Sequence, residues 1–350
     1  MRHVLAIDEG TTGSNLSAIV RVGVSALLCA ACATQTAKSG DSEMMAPVPT
    51  SIVHEEVTLK TPTGDIFGTL ELPAARTPVP VALIIAGSGP TDRNGNTPAL
   101  PGSNNSLKML ADGLAERGIA TLRYDKRGIA ASRAAMTSES DIRFNHFIED
   151  AEAWVKQLRG DKRFSTVTII GHSEGSLVGM VAAREAGADG YVSLEGAGRK
   201  AQDILAEQMK AQLPPDLFAQ TQRILAALSV GQTPDSVPPV LAPLFRPSVT
   251  QYLISWFKYD PAVEIGKLKV SVLIVQGTTD IQTSMTDANA LAAGNPSARL
   301  LTIEGMNHIL KEVSGDRLAQ IPKYSDPTLP VVPKLIDEIA QLIKSLPKRP

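Results

Sequence analysis

Cysteine is almost absent from this 350-residue chain, and the two that occur, Cys29 and Cys32, both fall within the first fifty residues. Everything beyond them has neither a disulfide framework nor a cysteine-based metal site. An excess of one charge is also missing, with 34 basic against 36 acidic residues. No basic field exists to hold nucleic acid or an anionic lipid surface, so nucleic acid is excluded as a partner. Long hydrophobic runs are lacking too: the apolar stretch from Val22 to Ala33 is too short to span a bilayer as a mature helix. Histidines number five, so any imidazole chemistry has few places to reside. There is no internal repeat. What remains, 43% hydrophobic and 20% charged, is the composition of a soluble globular protein.

Residues 1–50 read as a leader followed by a flexible linker. Met1 to Thr12 resembles the opening phosphate-binding strand and turn of glycerol-kinase-type sugar kinases, but nothing downstream continues it. Arg21, the apolar run to Ala33 and the small residues Ala31-Cys32-Ala33 look like a secretory signal. Cys32 after two alanines also resembles a bacterial lipoprotein lipidation site, which offers a lipid anchor. Export is therefore expected, to the periplasm, the medium or a lipid-anchored state. The acidic Asp8 and Glu9 leave a cytoplasmic alternative open. Sequencing the N-terminus of the native protein reads this directly. From Thr36 to Thr50, small, polar and proline-rich residues predict a linker.

From residue 51 onward, segments of strand and helix character alternate. Ser51 to Leu59 and Ile66 to Leu72 are strand-like around a turn signal at Thr61 to Asp65. Buried strands follow at Val79–Ile85, Ile119–Tyr124, Thr168–Ile170, Tyr191–Leu194, Val270–Gln276 and Arg299–Ile303. Helical spacing recurs between them, at Leu107–Arg117, Phe147–Leu158, Asp287–Ala293 and a closing amphipathic helix at Val332–Leu346. This alternation predicts an α/β fold, a mostly parallel sheet flanked by helices. One segment, 198–261, breaks the pattern. It is mostly helical and holds six of the fourteen aromatics: Phe218, Phe245, Tyr252, Trp256, Phe257 and Tyr259. These are expected either to fill a small core of its own or to wall an apolar pocket.

The chemistry points to Gly171-His172-Ser173-Glu174-Gly175, where a β-branched strand stops and a helical pattern of small residues begins at once. Such a turn strains its central residue and leaves no room for side chains beside it, which is why glycines flank the serine. A serine hydroxyl needs a base, usually a carboxylate-oriented histidine. His3 lies in the leader, His54 opens the first strand, His146 begins a helix, and His172 adjoins the serine and is expected to point away from it. His308 alone follows the last strand, at the sheet edge where Ser173 emerges. For the acid, Asp280 comes just after the strand before it, in Gly277-Thr278-Thr279-Asp280. Glu195, just after Tyr191–Leu194, is the alternative.

On these residues the chain from 51 to 350 resembles the α/β-hydrolase superfamily, whose triad runs in the order Ser, Asp, His, as Ser173, Asp280 and His308 do. Gly87 to Arg93, spelling Gly-Ser-Gly-Pro-Thr-Asp-Arg, is similar to the first catalytic loop of esterase-like members. The resemblance implies an oxyanion hole formed by the backbone N–H groups of Glu174 and Ser88, and a helical cap over 198–261. It implies a carboxylesterase-type serine hydrolase acting on small-molecule esters through an acyl-enzyme, with no metal and no cofactor. Trp256 is expected to wall a pocket for short to medium acyl chains. An aminopeptidase or acylaminoacyl peptidase is the alternative, for which Asp203, Glu207 and Asp216 would have to grip a free amine.

Overall fold

The computed structural model describes residues 52–349 apart from 75–77, 99, 101 and 211. The leader, with Cys32, and the linker up to residue 50 lie outside the described residues. Eight strands form one sheet: β1 (Val53–Thr61), β2 (Gly64–Leu72), β3 (Val79–Ile85), β4 (Ala120–Tyr124), β5 (Phe164–His172), β6 (Gly190–Leu194), β7 (Ser271–Gly277) and β8 (Arg299–Ile303). Their spatial order is β1-β2-β4-β3-β5-β6-β7-β8. β1 and β2 are an antiparallel hairpin, and β2 meets β4 antiparallel. From β4 through β3 to β8 every pairing is parallel.

The main helices outside the insertion are α1 (Ser106–Glu116), α2 (Phe144–Gly160) and α3 (Glu174–Ala186). In the insertion lie α4 (Ala201–Lys210), α5 (Pro215–Ser229), α6 (Ala242–Phe245) and α7 (Thr250–Trp256), and α8 (Pro261–Gly266) leads from it back to the sheet. After it come α9 (Met285–Gly294), α10 (Arg317–Gln320) and α11 (Pro333–Ser345). Both sheet faces are covered, so the central strands read as unbroken apolar runs rather than alternating ones. Side-chain alternation nonetheless sorts them. Leu83, Ile85, Ile169 and Ile274 pack with α2, α3 and α9, while Ala82, Ile84, Ile170 and Leu273 pack with α1 and α11. α11 shows how the pattern works, burying Leu335, Ile336, Ile339, Ala340 and Ile343 on one stripe.

Parallel strands end together, and that places the chemistry. β3, β4, β5, β6, β7 and β8 all deliver their following loops to one edge of the sheet. These loops carry Ser88, Lys126, Ser173, Glu195, Asp280 and His308. The insertion leaves the sheet at that edge, after β6, and the chain re-enters at the opposite edge, because β7 runs parallel to β6. Its core is its own: Leu225, Leu228, Phe245, Leu253 and Phe257 are buried together. A second set of rings attaches it to the body. Trp256 stacks on Phe144 with centroids 5.8 Å apart and planes 6° from parallel, and Tyr252 meets Phe147 edge-on at 5.9 Å. Each such pair adds about 0.5–1.5 kcal/mol beyond simple burial.

Candidate active site

Ser173 sits at φ 55°, ψ −121°, between the last residue of β5 and the first of α3. This backbone conformation costs a non-glycine residue on the order of 1–3 kcal/mol, so the surroundings must impose it. They do. Its N–H donates to the Leu194 carbonyl at 2.9 Å, and its carbonyl accepts from the Ser176 N–H at 3.0 Å. Glycine on each side is obligatory: a Cβ on Gly171 would lie 2.2 Å from the Gly175 oxygen, and one on Gly175 would lie 2.4 Å from the Ile85 oxygen. Helix α3 can therefore press against the end of β3, and the turn stays sharp.

His308 lies in the loop after β8, with Nδ1 2.7 Å from Asp280 Oδ2. The Asp280 side chain is wholly buried and that of His308 is nearly so. Burial by itself would raise the Asp280 pKa. The His308 ring, the Glu195 side chain and the Gln282 N–H, 2.6 Å from Oδ1, together hold it well below the usual carboxylate range. Thr283 Oγ1 donates to Asp280 Oδ2 at 2.8 Å. The carboxylate is thus ionised and fully directed. The loops are laced to each other as well: the Gly305 N–H donates to Thr278 Oγ1 at 2.9 Å, and the Thr279 N–H to the Met306 carbonyl at 3.2 Å.

Glu195 occupies a different place. Its carboxyl accepts from the Gly277 N–H at 2.8 Å and from Gln276 Nε2 at 2.6 Å, with no solvent exposure. Burial, and then the neighbouring Asp280, push its pKa well above the ordinary value. It holds its proton more tightly than an ordinary carboxyl and stands behind the carboxylate facing His308, without taking its place.

His172 was expected to point away from the serine, yet it lines the same cavity as Ser173 and His308. Its Nε2 lies 2.8 Å from the His308 carbonyl, which makes Nε2 the protonated nitrogen. The residue therefore holds the His308 loop, a role that nothing in the sequence beyond its place inside the Gly-x-Ser-x-Gly motif signalled. Burial first, and the His308 ring second, push its pKa down to about 3. An unfolded histidine titrates near 6.5, so between those values the unfolded chain binds a proton that the folded one refuses. This contribution to stability is complete above about pH 6.5 and is lost as pH falls toward 3, at up to about 1.4 kcal/mol per pH unit. In His172→Gln, which keeps a donor near Nε2, the slope of unfolding free energy against pH between 4 and 6 is expected to fall by about one proton. Urea titrations at several pH values measure it, and equal slopes in the two proteins would contradict it.

The loop after β3 is braced as its residue types require. Asp92 Oδ1 accepts from the N–H groups of Asn94 and Asn96 at 2.8 and 2.9 Å. Asp125 takes the Arg93 N–H at 2.8 Å and its guanidinium at 3.0 and 3.1 Å. Thr91 Oγ1 donates to the Ser88 carbonyl at 2.8 Å. Gly87 and Ser88 border a cavity of about 310 Å³ together with Ser173 and His308. Glu174 is the first residue of α3, where an N–H has no acceptor within the helix.

One sequence expectation fails here. Trp256 is not among the residues lining that cavity; it lies against Phe144, between the core of the insertion and the core of the body. The insertion reaches the cavity through Gln208 and Gln212. The reason is competition for apolar surface: α2 offers Phe144 and Phe147, and the cap aromatics pack against those rings.

Comparison with known proteins agrees with this architecture. The profile of a hydrolase family described as serine aminopeptidase, S33, matches residues 103–232. Esterase EstD of Thermotoga maritima is 26% identical over 298 residues, spanning 84% of this chain and 68% of that protein. Among solved structures, Est1E from Butyrivibrio proteoclasticus with ferulic acid bound superposes with a TM-score of 0.56 at 17% identity, covering 83% of this chain and all of that one. Esterase Pf2001 of Pyrococcus furiosus gives a TM-score of 0.52 at 13% identity over 84% of this chain and 92% of its own. At such identities the structural likeness speaks for the fold. Fold, sequence relative and site geometry agree: the chain has the α/β-hydrolase fold and is similar to esterase-type serine hydrolases.

Proposed function

We propose that this protein hydrolyses carboxylic esters of short to medium acyl chains through an acyl-enzyme on Ser173. The observation that carries the reading is the 2.7 Å contact between His308 Nδ1 and Asp280 Oδ2, on the edge where the strained Ser173 projects into the same cavity. With Nδ1 engaged, Nε2 is the atom left to take the serine proton. Ser173 Oγ attacks the ester carbonyl, and the carbonyl oxygen becomes an oxyanion that the N–H groups of Ser88 and Glu174 receive. The imidazolium then gives its proton to the departing alcohol. Water repeats the sequence on the acyl-enzyme and frees the acid.

Cavity size and lining shape the substrate proposal. About 310 Å³ is at the small end for ligand pockets. Leu100, Ile281, Ile309 and Ile321 supply an apolar wall. Each methylene buried there gains about 0.8 kcal/mol until the wall is met, which favours acyl chains of about two to eight carbons. The family profile raises a second reading, an aminopeptidase. Such an enzyme needs a carboxylate to bind the substrate ammonium. Among the described residues lining the cavity none is Asp or Glu, and Arg317 brings a positive charge instead. Glu207, one of the acids considered for that task, is paired with Arg199.

A fluorophosphonate probe is expected to label Ser173, and p-nitrophenyl esters from acetate to octanoate to be turned over in preference to aminoacyl anilides. Faster cleavage of the anilides, or a best rate with long-chain triglyceride emulsions, would reject the proposal.

A further inference from the structure

Behind the nucleophile turn lies a buried cation that the mechanism above leaves unused. Lys126 follows β4 in Asp125-Lys126-Arg127-Gly128, a stretch that reads from sequence as a structural turn. Yet Lys126 is only 3% exposed. Its Nζ donates to the Gly87 carbonyl and lies 3.7 Å from Glu174 Oε1. The ammonium also sits 5.5 Å from the centre of the Phe147 ring, on which a cation is favoured. Glu174, 6% exposed, accepts a hydrogen bond from the Tyr252 hydroxyl at 2.6 Å. Burying a lysine is costly unless the charge is well partnered. Three partners, from one loop and two helices, are an expensive arrangement for a mere turn.

Two of these partners, Gly87 and Glu174, are tied to the oxyanion donors. The Gly87–Ser88 peptide is planar and trans, so its N–H points opposite to its carbonyl. A carbonyl held inward on Lys126 turns the Ser88 N–H outward, toward the cavity that Gly87 and Ser88 line with Ser173. Glu174 supplies the second N–H, and its side chain is held by the same ammonium and by Tyr252. We propose that Lys126 is a positioning residue that sets both oxyanion donors at once, and that Tyr252 links the cap to this setting through Glu174. Burial lowers the Lys126 pKa, and the Glu174 carboxylate opposes that loss of charge.

The inference rests on the hydrolase reading, so the wild-type protein must first turn over p-nitrophenyl esters and be labelled at Ser173; failure there removes the reading itself. Given that, Lys126→Met and Tyr252→Phe are compared with wild type, with rates normalised to serines titrated by the fluorophosphonate. Lys126→Met is expected to lower kcat on the order of 10² with KM within about threefold, because the oxyanion exists only in the transition state. Affinity for a trifluoromethyl ketone, which forms a tetrahedral oxyanion on the serine, should fall in parallel with kcat. Tyr252→Phe, a milder change that should leave the fold standing, is expected to lower both by about three- to tenfold. A purely structural role would lower the melting temperature and the fraction of titratable serine, but leave kcat per serine and ketone affinity intact. That result overturns the inference. If Lys126→Met does not fold, Tyr252→Phe decides alone, and kcat and ketone affinity equal to wild type overturn it.

Discussion

Ser173→Ala is expected to cut kcat by about 10⁴–10⁶ while the protein remains folded. The serine supplies the attacking oxygen, and no other hydroxyl stands at the turn between β5 and α3. Alanine suffers the same left-handed strain at φ 55°, so its melting temperature should match wild type. Glycine at this position loses the hydroxyl and also relaxes the strain, so Ser173→Gly should be equally inactive but more stable, by about 1 kcal/mol. Ester turnover and thermal melts on the two variants separate the chemical role from the conformational one. An alanine variant with substantial activity would remove Ser173 from the mechanism.

Asp280→Asn comes next, with an expected loss on the order of 10⁴ in kcat. The amide keeps the shape but cannot anchor a protonated Nδ1, so the ring is left in the wrong tautomer and the imidazolium unsupported. Glu195→Gln should cost far less. Glu195 lies behind Asp280 with its pKa raised by burial, and a glutamine in the same place keeps an oxygen for the Gly277 N–H and an amide donor for Asp280. Steady-state rates of the two variants give the ranking, and the reverse order would move the catalytic acid to Glu195.

The triad positions were legible because a parallel sheet delivers all its strand ends to one edge. Knowing that Ser173, Asp280 and His308 each follow a strand was enough to bring them together. Glu195 follows a strand by the same logic, and only its complete burial beside Asp280, with Gly277 and Gln276 donating to its carboxyl, sets it apart from the acid that faces His308. Lys126 was illegible for a plainer reason: lysine in a turn is solvated in most proteins, and burial is a property of the loops that close over it. The bond of His172 to the His308 loop was illegible because adjacency to the serine in sequence does not tell what the ring meets across the sheet edge. Trp256 failed because a cluster of rings in sequence says that rings will pack, and cannot say against which neighbour.

That attachment of the cap has a practical side. With Trp256, Tyr252 and Tyr259 packed against α2, the insertion is fastened by its rings and reaches the cavity through Gln208 and Gln212. Someone wishing to retrain this enzyme for a different ester would leave the rings alone and randomise the rim. Gln208 and Gln212 on the cap and Gln282 on the facing loop form that rim, bridged where Gln208 Nε2 donates to the Gln282 carbonyl at 3.1 Å. None of the three belongs to a hydrophobic core, so a library there samples the doorway without spending the stability that keeps the building upright.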